Sequence, residues 1–314
     1  MSPAKRLLVH VVLVAFAMLT LLPFAFMLNN VFRTNSEFYH SFFSLPRAFD
    51  ELAALGTDAL RGRTGEVEIK DTEGNVMTVT RSEAAAHWWD QATRGIRRSW
   101  VVIRPYMLNS FIVSLTTAFG VALIGSVTAY ILARYRFLGS KVVFVFIIST
   151  MMFPGVLTLV PSFLLVKKMG LLNTYWAMIL PYIAGGQVFA IFVFKSFFEG
   201  LDEDLFESAR IDGAGHFRIY WNIVLPLSKP AFSVVVIMNL LGTWNNFLWP
   251  FITNTEGKCH VLASGLYNLA RSPHASNFNT VYAAYAVSSL PLLVLFIYAT
   301  KPFIQGMTSG ALKA

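Results

Sequence analysis

Long stretches without a charged residue constrain this chain more than any other feature of its sequence. Six runs contain no Asp, Glu, Lys or Arg: 7–32, 107–133, 142–166, 169–194, 230–255 and 272–300. About 20 apolar residues in a helix suffice to cross the roughly 30 Å hydrocarbon core of a bilayer. Because lipid offers the backbone no hydrogen-bond partner, the runs are predicted to form six transmembrane helices of an all-α membrane protein.

Composition supports lipid as the solvent for much of the chain. Charged residues make up 13% of it, whereas soluble domains carry about a quarter. The net charge of +8 lies in connecting segments without a basic, aromatic-rich stripe, which favours an anionic lipid surface over nucleic acid as partner. Cys259 is the single cysteine, so the sequence predicts neither an intrachain disulfide nor a metal cluster.

The first apolar run has two readings. Lys5 and Arg6 precede it, as in a secretory signal. The hydrophobic part of such a signal is about 7–15 residues long, and the run 7–32 is longer, so a retained anchor is the favoured reading.

Basic residues indicate the orientation, because short cytoplasmic loops are enriched in Lys and Arg. With six spans, both termini share one side with most of the short basic connections: Lys5, Arg6, Arg134, Arg136, Lys141, Lys195, Arg210, Arg218, Lys229, Lys301 and Lys313. That side is predicted to be cytoplasmic. Lys167 and Lys168 fall outside and oppose this assignment.

The stretch 33–104 is the candidate soluble subdomain, between a first helix (1–32) and a core of five helices (105–314). Residues 66–80 alternate apolar and polar side chains around Glu73-Gly74-Asn75, which predicts a hairpin. Residues 82–98 suit a helix with Ser82 as N-cap, and Trp88, Trp89 and Trp100 suit the membrane interface. This external α/β insert is either a lid or a docking surface for an external partner.

A polar, glycine-containing segment, 201–228, separates two of the apolar runs. Asp204 as N-cap would place Glu207 at the third helical position, as in a capping box. Gly213 and Gly215 can end this helix with positive φ. A second helix, 216–224, should stop before Pro226. The segment is either an exposed docking helix or a plain connector on the bilayer.

Several motifs in the chain resemble one family. Glu207-Ser208-Ala209, Asp212-Gly213-Ala214 and Leu225-Pro226 resemble the cytoplasmic EAA loop of ABC importer permeases, in particular the smaller maltose-permease-like subunit of the carbohydrate type. Stretches 109–137, 170–182, 242–250 and 303–314 resemble the same subfamily. The chain departs from it at Ser208, which replaces the usual second alanine, and in the longer insert 33–104.

The resemblance implies partners and a location. The EAA loop would be the coupling helix that docks on an ATPase through Glu207, Ser208, Ala209, Asp212, Gly213, Ala214 and Gly215. The implied complex lies in a bacterial inner membrane. It contains two ABC ATPase subunits that bind ATP and Mg, a second homologous permease and an external solute-binding protein.

The residues themselves also place the energy source elsewhere. No G-x-x-x-x-G-K-[ST] phosphate loop occurs in the chain. The apolar runs lack carboxylates, lysines and arginines, and His10 and His274 lie near the ends of their runs, which argues against a proton relay. No catalytic grouping stands out, which agrees with what the resemblance implies: a transport subunit without a cofactor of its own rather than an enzyme.

Polar and aromatic residues in the fifth run are candidates for the solute path: Asn239, Thr243, Trp244, Asn245, Asn246 and Trp249. The helical spacing of Asn239, Thr243 and Asn246 predicts one shared face, suited to sugar hydroxyls and ring faces. The alternative is hydrogen bonding between helices. Elsewhere, 185–187 predicts a packing notch or a kink, and Pro154 a kink.

The stretch 254–280 corresponds to the family's loop towards the binding protein, with Gly265, Tyr267 and Asn268 as candidate tip residues. The leading interpretation is therefore a carbohydrate importer permease. The alternatives are the same transporter class with another cargo such as glycerol phosphate, a scaffold or receptor without transport, and a membrane enzyme.

Overall fold

Helices dominate the computed structural model, which describes residues 3–63, 65–70, 76–135, 137–272 and 276–311. The chain divides into two compact units, Met1–Arg104 with Leu266–Leu290, and Pro105–Gly265 with Pro291–Ala314. The helices before the long central one are α1 (Pro3–Val31), α2 (Asn35–His40) and α3 (Arg47–Leu60).

The predicted hairpin is present in the first unit. Strand β1 (Glu66–Lys70) pairs antiparallel with β2 (Val76–Thr80), and its predicted turn lies outside the described residues. Ile69 packs into a small core with the side chains of Ala48, Ala84, Trp88 and Ala92. Trp88 is buried in this core, whereas Trp89 and Trp100, which were also expected at a membrane interface, are exposed. This core provides the support that an isolated hairpin lacks in water.

One long helix, α4 (Arg81–Arg134), joins two elements that the sequence suggested were separate. Its 54 residues include both the helix predicted at 82–98 and the second apolar run, with Pro105 inside. The N-cap is Thr80 rather than Ser82. The backbone N–H of Glu83 donates to Thr80 Oγ1 at 3.4 Å, and that of Thr80 donates to the Glu83 carboxylate at 2.9 Å. This reciprocal pair is a capping box.

The third apolar run is sharply bent. Helix α5 (Ser140–Ser149) and the 3₁₀ turn Thr150–Met152 lead to α6 (Gly155–Lys168), with an angle of 99° at the break. Pro154 lies at this break and is the N-cap of α6, so the kink predicted there is confirmed. The fourth run forms the unbroken helix α7 (Trp176–Glu199).

The remainder of the chain is also mostly helical. Its helices are α8 (Glu203–Ile211), α9 (His216–Ile219), α10 (Leu225–Leu227), α11 (Lys229–Asn245), α12 (Leu248–Thr253), α13 (Leu262–Arg271) and α14 (Phe278–Ala311). A π-helical turn, Tyr220–Val224, lies between α9 and α10, and a 3₁₀ turn, Gly257–Cys259, lies between α12 and α13.

Within the described residues, four helices are long and apolar enough to cross a membrane: α1, α4, α7 and α14. Two bent pairs, α5 with α6 and α9–α10 with α11, raise the number to six if each pair forms one span. The core of the second unit packs α4, α7 and α11 together through aliphatic and aromatic side chains such as Val121, Ala190, Phe194 and Val235.

Candidate functional site

The polar segment 201–228 begins with a helix that is capped two residues earlier than the sequence suggested. Asp202 Oδ1 accepts the backbone N–H of Asp204 at 3.2 Å, so Asp202 is the N-cap of α8 and Asp204 lies in its first turn. Glu207 is then the fifth helical residue and is exposed. The predicted capping role of Glu207 is wrong, and its carboxylate faces solvent.

Gly213 terminates α8 as predicted. Its φ is +75°, its N–H donates to Arg210 O at 3.0 Å, and the N–H of Ala214 donates to Ala209 O at 2.9 Å. These two bonds define a Schellman motif, which needs a left-handed residue at this position. Gly215 does not contribute a positive φ. With φ −70° and ψ 162° it is the extended N-cap of α9.

The exposed face of α8 differs from the one implied by the family resemblance. Ala209 is 8% exposed and packs with Phe206 into the core of the second unit, so its side chain faces inward. Ala214 is half-buried. The remaining predicted docking residues are exposed: Glu207, Ser208, Asp212, Gly213 and Gly215.

Five large apolar side chains on the same segment are exposed, which the sequence did not predict: Leu205, Ile211, Phe217, Trp221 and Leu227. Ile211 is 86% exposed and Phe217 78%, and the Phe217 ring stacks on that of Trp221 at 6.2 Å. Large apolar side chains clustered at a surface indicate an interaction site. The signal in the sequence was the presence of these residues in a polar, charge-rich stretch.

The chain stays helical beyond the point at which Pro226 was expected to stop it. The π-helical turn Tyr220–Val224 precedes α10, which contains Pro226 and ends at Leu227. In an α-helix the proline ring clashes with the carbonyl four residues earlier. The wider π turn changes that spacing and so accommodates the ring.

Helix α11 ends within the predicted solute-path residues. It stops at Asn245, and Asn246 has extended backbone angles (φ −73°, ψ 117°) before α12 begins. The expectation that Asn246 shares one helical face with Asn239 and Thr243 is therefore wrong. The Oδ1 atom of Asn246 instead accepts the backbone N–H of Trp249 at 3.2 Å, a local bond that competes with helix continuation.

The same residues divide into packed and accessible groups. Trp249 is buried and donates its indole N–H to Ala177 O at 2.9 Å, while buried Trp244 meets the Phe111 ring edge-on at 4.9 Å. Thr243 is also buried and bonds to Asn239 O at 2.8 Å. Asn245 is exposed, and Asn239 and Asn246 are partly exposed. Asn239 and Asn245 each donate one amide N–H to the carbonyl four residues earlier, so their remaining amide groups are the accessible ones.

Of the three candidate tip residues, Gly265 lies in a packed position. It is buried within α13, and a Cβ there would collide with the ring of Tyr106. The expectation of an exposed tip is therefore wrong for Gly265. Tyr267 and Asn268 are partly exposed in the same helix.

The stretch 258–262 is fixed to α4 by buried polar contacts. Asn109 donates its amide to Lys258 O at 3.0 Å and to His260 O at 2.8 Å, and Ser110 Oγ accepts the N–H of Leu262 at 2.8 Å. Burial lowers the pKa of His260 and is the main cause that raises the pKa of Cys259. Among the described residues, no group of three or more His, Cys, Asp or Glu side chains could hold a metal ion.

Arg134 is a residue whose role the sequence did not reveal. In the sequence it is one positive charge among those that indicate the orientation. In the structure its side chain is 9% exposed and forms an ion pair with Glu203 of α8 at 2.5 Å. An arginine in the last turn of a long apolar helix was the available signal.

Comparison with known proteins relates this geometry to a family. Residues 122–309 match the family described as binding-protein-dependent transport system inner membrane component. The diacetylchitobiose uptake system permease protein NgcG of Streptomyces coelicolor is 29% identical over 97% of this chain and 88% of NgcG. The arabinooligosaccharides transport system permease protein AraQ of Bacillus subtilis is 35% identical over 66% of this chain and 73% of AraQ.

A solved structure shares the fold. A chain of a bacterial ABC transporter involved in the import of the acidic polysaccharide alginate aligns with a TM-score of 0.72 at 18% identity, covering 96% of this chain and 98% of the other. The family match covers more than half of the 314 residues and includes the whole segment 201–228. This chain therefore belongs to the binding-protein-dependent transport system inner membrane components, and it is a transport subunit rather than an enzyme.

Proposed function

We propose that the chain is one of two permease subunits of an ATP-driven importer and that its cargo is a sugar or oligosaccharide. The observation that carries this proposal is the family match over residues 122–309. The names of its relatives NgcG and AraQ specify diacetylchitobiose and arabinooligosaccharides, which supports a carbohydrate as cargo. An external binding protein would deliver the solute, and two ATPase subunits would bind ATP and Mg.

In the proposed topology the chain crosses a bacterial inner membrane six times. The bent pairs α5–α6 and α9–α11 each count as one span, and both termini are cytoplasmic. Residues 33–104 then form an external α/β insert. The excess of Lys and Arg in the short connections on the side of the termini supports this orientation.

The segment 201–228 is the proposed coupling site. Its exposed surface combines the carboxylates of Glu207 and Asp212 with the apolar side chains of Ile211 and Phe217, around the glycine turn at Gly213. Small and apolar groups at the centre of a patch with a polar rim are typical of a protein interface. Ser208 and Gly215 extend this surface, while Ala209 and Ala214 shape it from within.

The proposed solute path uses the accessible amides of Asn239, Asn245 and Asn246, because amides donate and accept hydrogen bonds with sugar hydroxyls. Thr243, Trp244 and Trp249 support this path from buried positions. Tyr267 and Asn268 are the proposed contacts to the external binding protein.

The test is a tagged copy of the chain, purified in detergent from its own host. We expect an ATPase and a second permease to co-purify, and the reconstituted complex to take up sugar when supplied with ATP and binding protein.

In Gly213→Val, a β-branched side chain at φ +75° is strained by about 1–2 kcal/mol. We expect this variant to hydrolyse ATP with little uptake.

Gly170→Val is the matched control, because Gly170 has a similar φ of +70°, a Cβ there meets nothing within 4 Å, and the residue lies outside 201–228. Normal coupling in Gly213→Val would contradict the coupling site. If the chain purified without an ATPase, or if substitutions in 201–228 left uptake unchanged, a scaffold or receptor would be favoured instead.

A further inference from the structure

The guanidinium of Arg134 joins three elements at the end of α4. It donates to Phe198 O at 2.5 Å, in the last turn of α7, and to Leu201 O at 2.9 Å, in the link between α7 and α8. It also pairs with the carboxylate of Glu203, the first residue of α8. One side chain of α4 therefore holds both the end of α7 and the start of α8.

The flat face of the same guanidinium packs on α8. The Cζ atom of Arg134 lies 3.8 Å from the centroid of the Phe206 ring, and Phe206 is 1% exposed. A cation over an aromatic face is attracted most strongly when it is shielded from water. The guanidinium of Arg134 therefore contacts α8 in two ways. Its N–H edge pairs with Glu203, and its flat face packs on the ring of Phe206.

A second contact fixes the other end of the segment to α4. The hydroxyl groups of Tyr220 and Ser126 lie 2.7 Å apart in a buried hydrogen bond, and the Tyr220 ring lies 5.4 Å from that of Tyr130. Tyr220 begins the π-helical turn. Ser126, Tyr130 and Arg134 are spaced by four residues and so occupy one face of α4.

We propose that this face of α4, with Arg134 as its positioning residue, passes displacement of the segment 201–228 to the second span. The inference rests on the coupling role proposed above. The chain connects the segment directly only to α7 and α11. Side-chain contacts with Arg134 and Tyr220 add α4 as a third element that must follow when α8 moves.

Arginine is required here because of its shape. A planar guanidinium can serve two carbonyls and a carboxylate at once while stacking on a ring, and a lysine ammonium cannot do all of these together. We therefore expect Arg134→Lys to keep the charge and lose the attachment. The conservative substitution separates positioning from simple electrostatics.

The experiment compares complexes carrying Arg134→Lys with the parent in proteoliposomes. We expect the subunits to assemble and hydrolyse ATP, while the uptake per ATP hydrolysed falls by about tenfold, within the usual range of coupling between sites. Glu203→Gln should give a smaller loss in the same direction. Because the two residues share a contact, their double variant should lose less than the sum of the single effects.

Lys195→Met is the matched control. Lys195 is also a mostly buried cation near the end of α7, pairs with Glu199 at 2.5 Å and lies over the Phe144 ring. Its contacts do not reach α8, so uptake per ATP should stay unchanged. If Arg134 had only a structural role, Arg134→Lys would lower the yield of assembled complex, and with it both ATP hydrolysis and uptake. The uptake per ATP hydrolysed would then stay unchanged.

The outcomes separate this inference from the proposed function. If Gly213→Val uncouples the complex and Arg134→Lys does not, the segment couples without α4 and the inference is wrong. If neither variant uncouples, the proposed coupling site itself fails. If Arg134→Lys does not assemble, Tyr220→Phe removes a single hydroxyl from the same face, and unchanged uptake per ATP in that variant would overturn the inference.

Discussion

Gly186 lies where α7 meets two neighbouring helices without room for a side chain. A Cβ at this position would come within 2.7 Å of Asn239 Oδ1 on α11 and of a Val121 methyl on α4. We expect Gly186→Val to destabilise the protein by about 1–3 kcal/mol through overpacking, measured as a lower Tm in detergent.

Gly185→Ala is the matched control for this substitution. It lies one position away in the same helix, and a Cβ there meets nothing within 4 Å. An equal loss of stability in both variants would show that helix α7, and not the contact at Gly186, is sensitive to substitution.

At this scale the sequence predicted some positions and missed others for identifiable reasons. The positive φ of Gly213 was predictable, because a glycine directly after a helical pattern has few other uses. Asp202 and Asp204 both fit the N-cap preference, and only the backbone geometry selects Asp202. The contacts of Arg134 were not predictable, because they join residues more than 60 positions apart.

The start of α8 is an element whose stability depends on one side chain. Replacing Asp202 with Ala removes the bond to the N–H of Asp204 and should cost about 1 kcal/mol of helix stability. We expect faster hydrogen exchange in the first turn of α8, measured by mass spectrometry on the purified complex. Asp204→Ala is the control and should leave this exchange unchanged. Faster exchange in Asp204→Ala but not in Asp202→Ala would show that Asp204 is the N-cap.

The elements themselves were partly predictable from periodicity and charge. The hairpin of β1 and β2 and the kink at Pro154 followed from local patterns and were confirmed. The continuity of α4 was not predicted, because charged residues between 81 and 104 ended the apolar run without ending the helix. The break at Asn246 was missed because its cause is a bond to Trp249, which hydrophobicity does not encode.

For the whole molecule, the proposed orientation predicts which surfaces reagents can reach. Replacing Cys259 with Ser gives a cysteine-free background. Leu60 and Leu138 are both highly exposed, lie outside the proposed coupling site and can each carry a single new cysteine. We expect a membrane-impermeant maleimide to label Leu60→Cys in intact spheroplasts and Leu138→Cys only in inverted vesicles. The reverse pattern would invert the topology.

Three glycines of the second unit have a consequence for how this subunit can move. Gly120 and Gly125 of α4 lie against Ile183 and Ala190 of α7, and Gly186 of α7 lies against Val121 and Asn239. Helices meshed so closely resist sliding past each other by a fraction of a turn, because every ridge already fills a groove. The three helices are therefore expected to tilt as a single block, so that the solute path opens between this block and the proposed second permease.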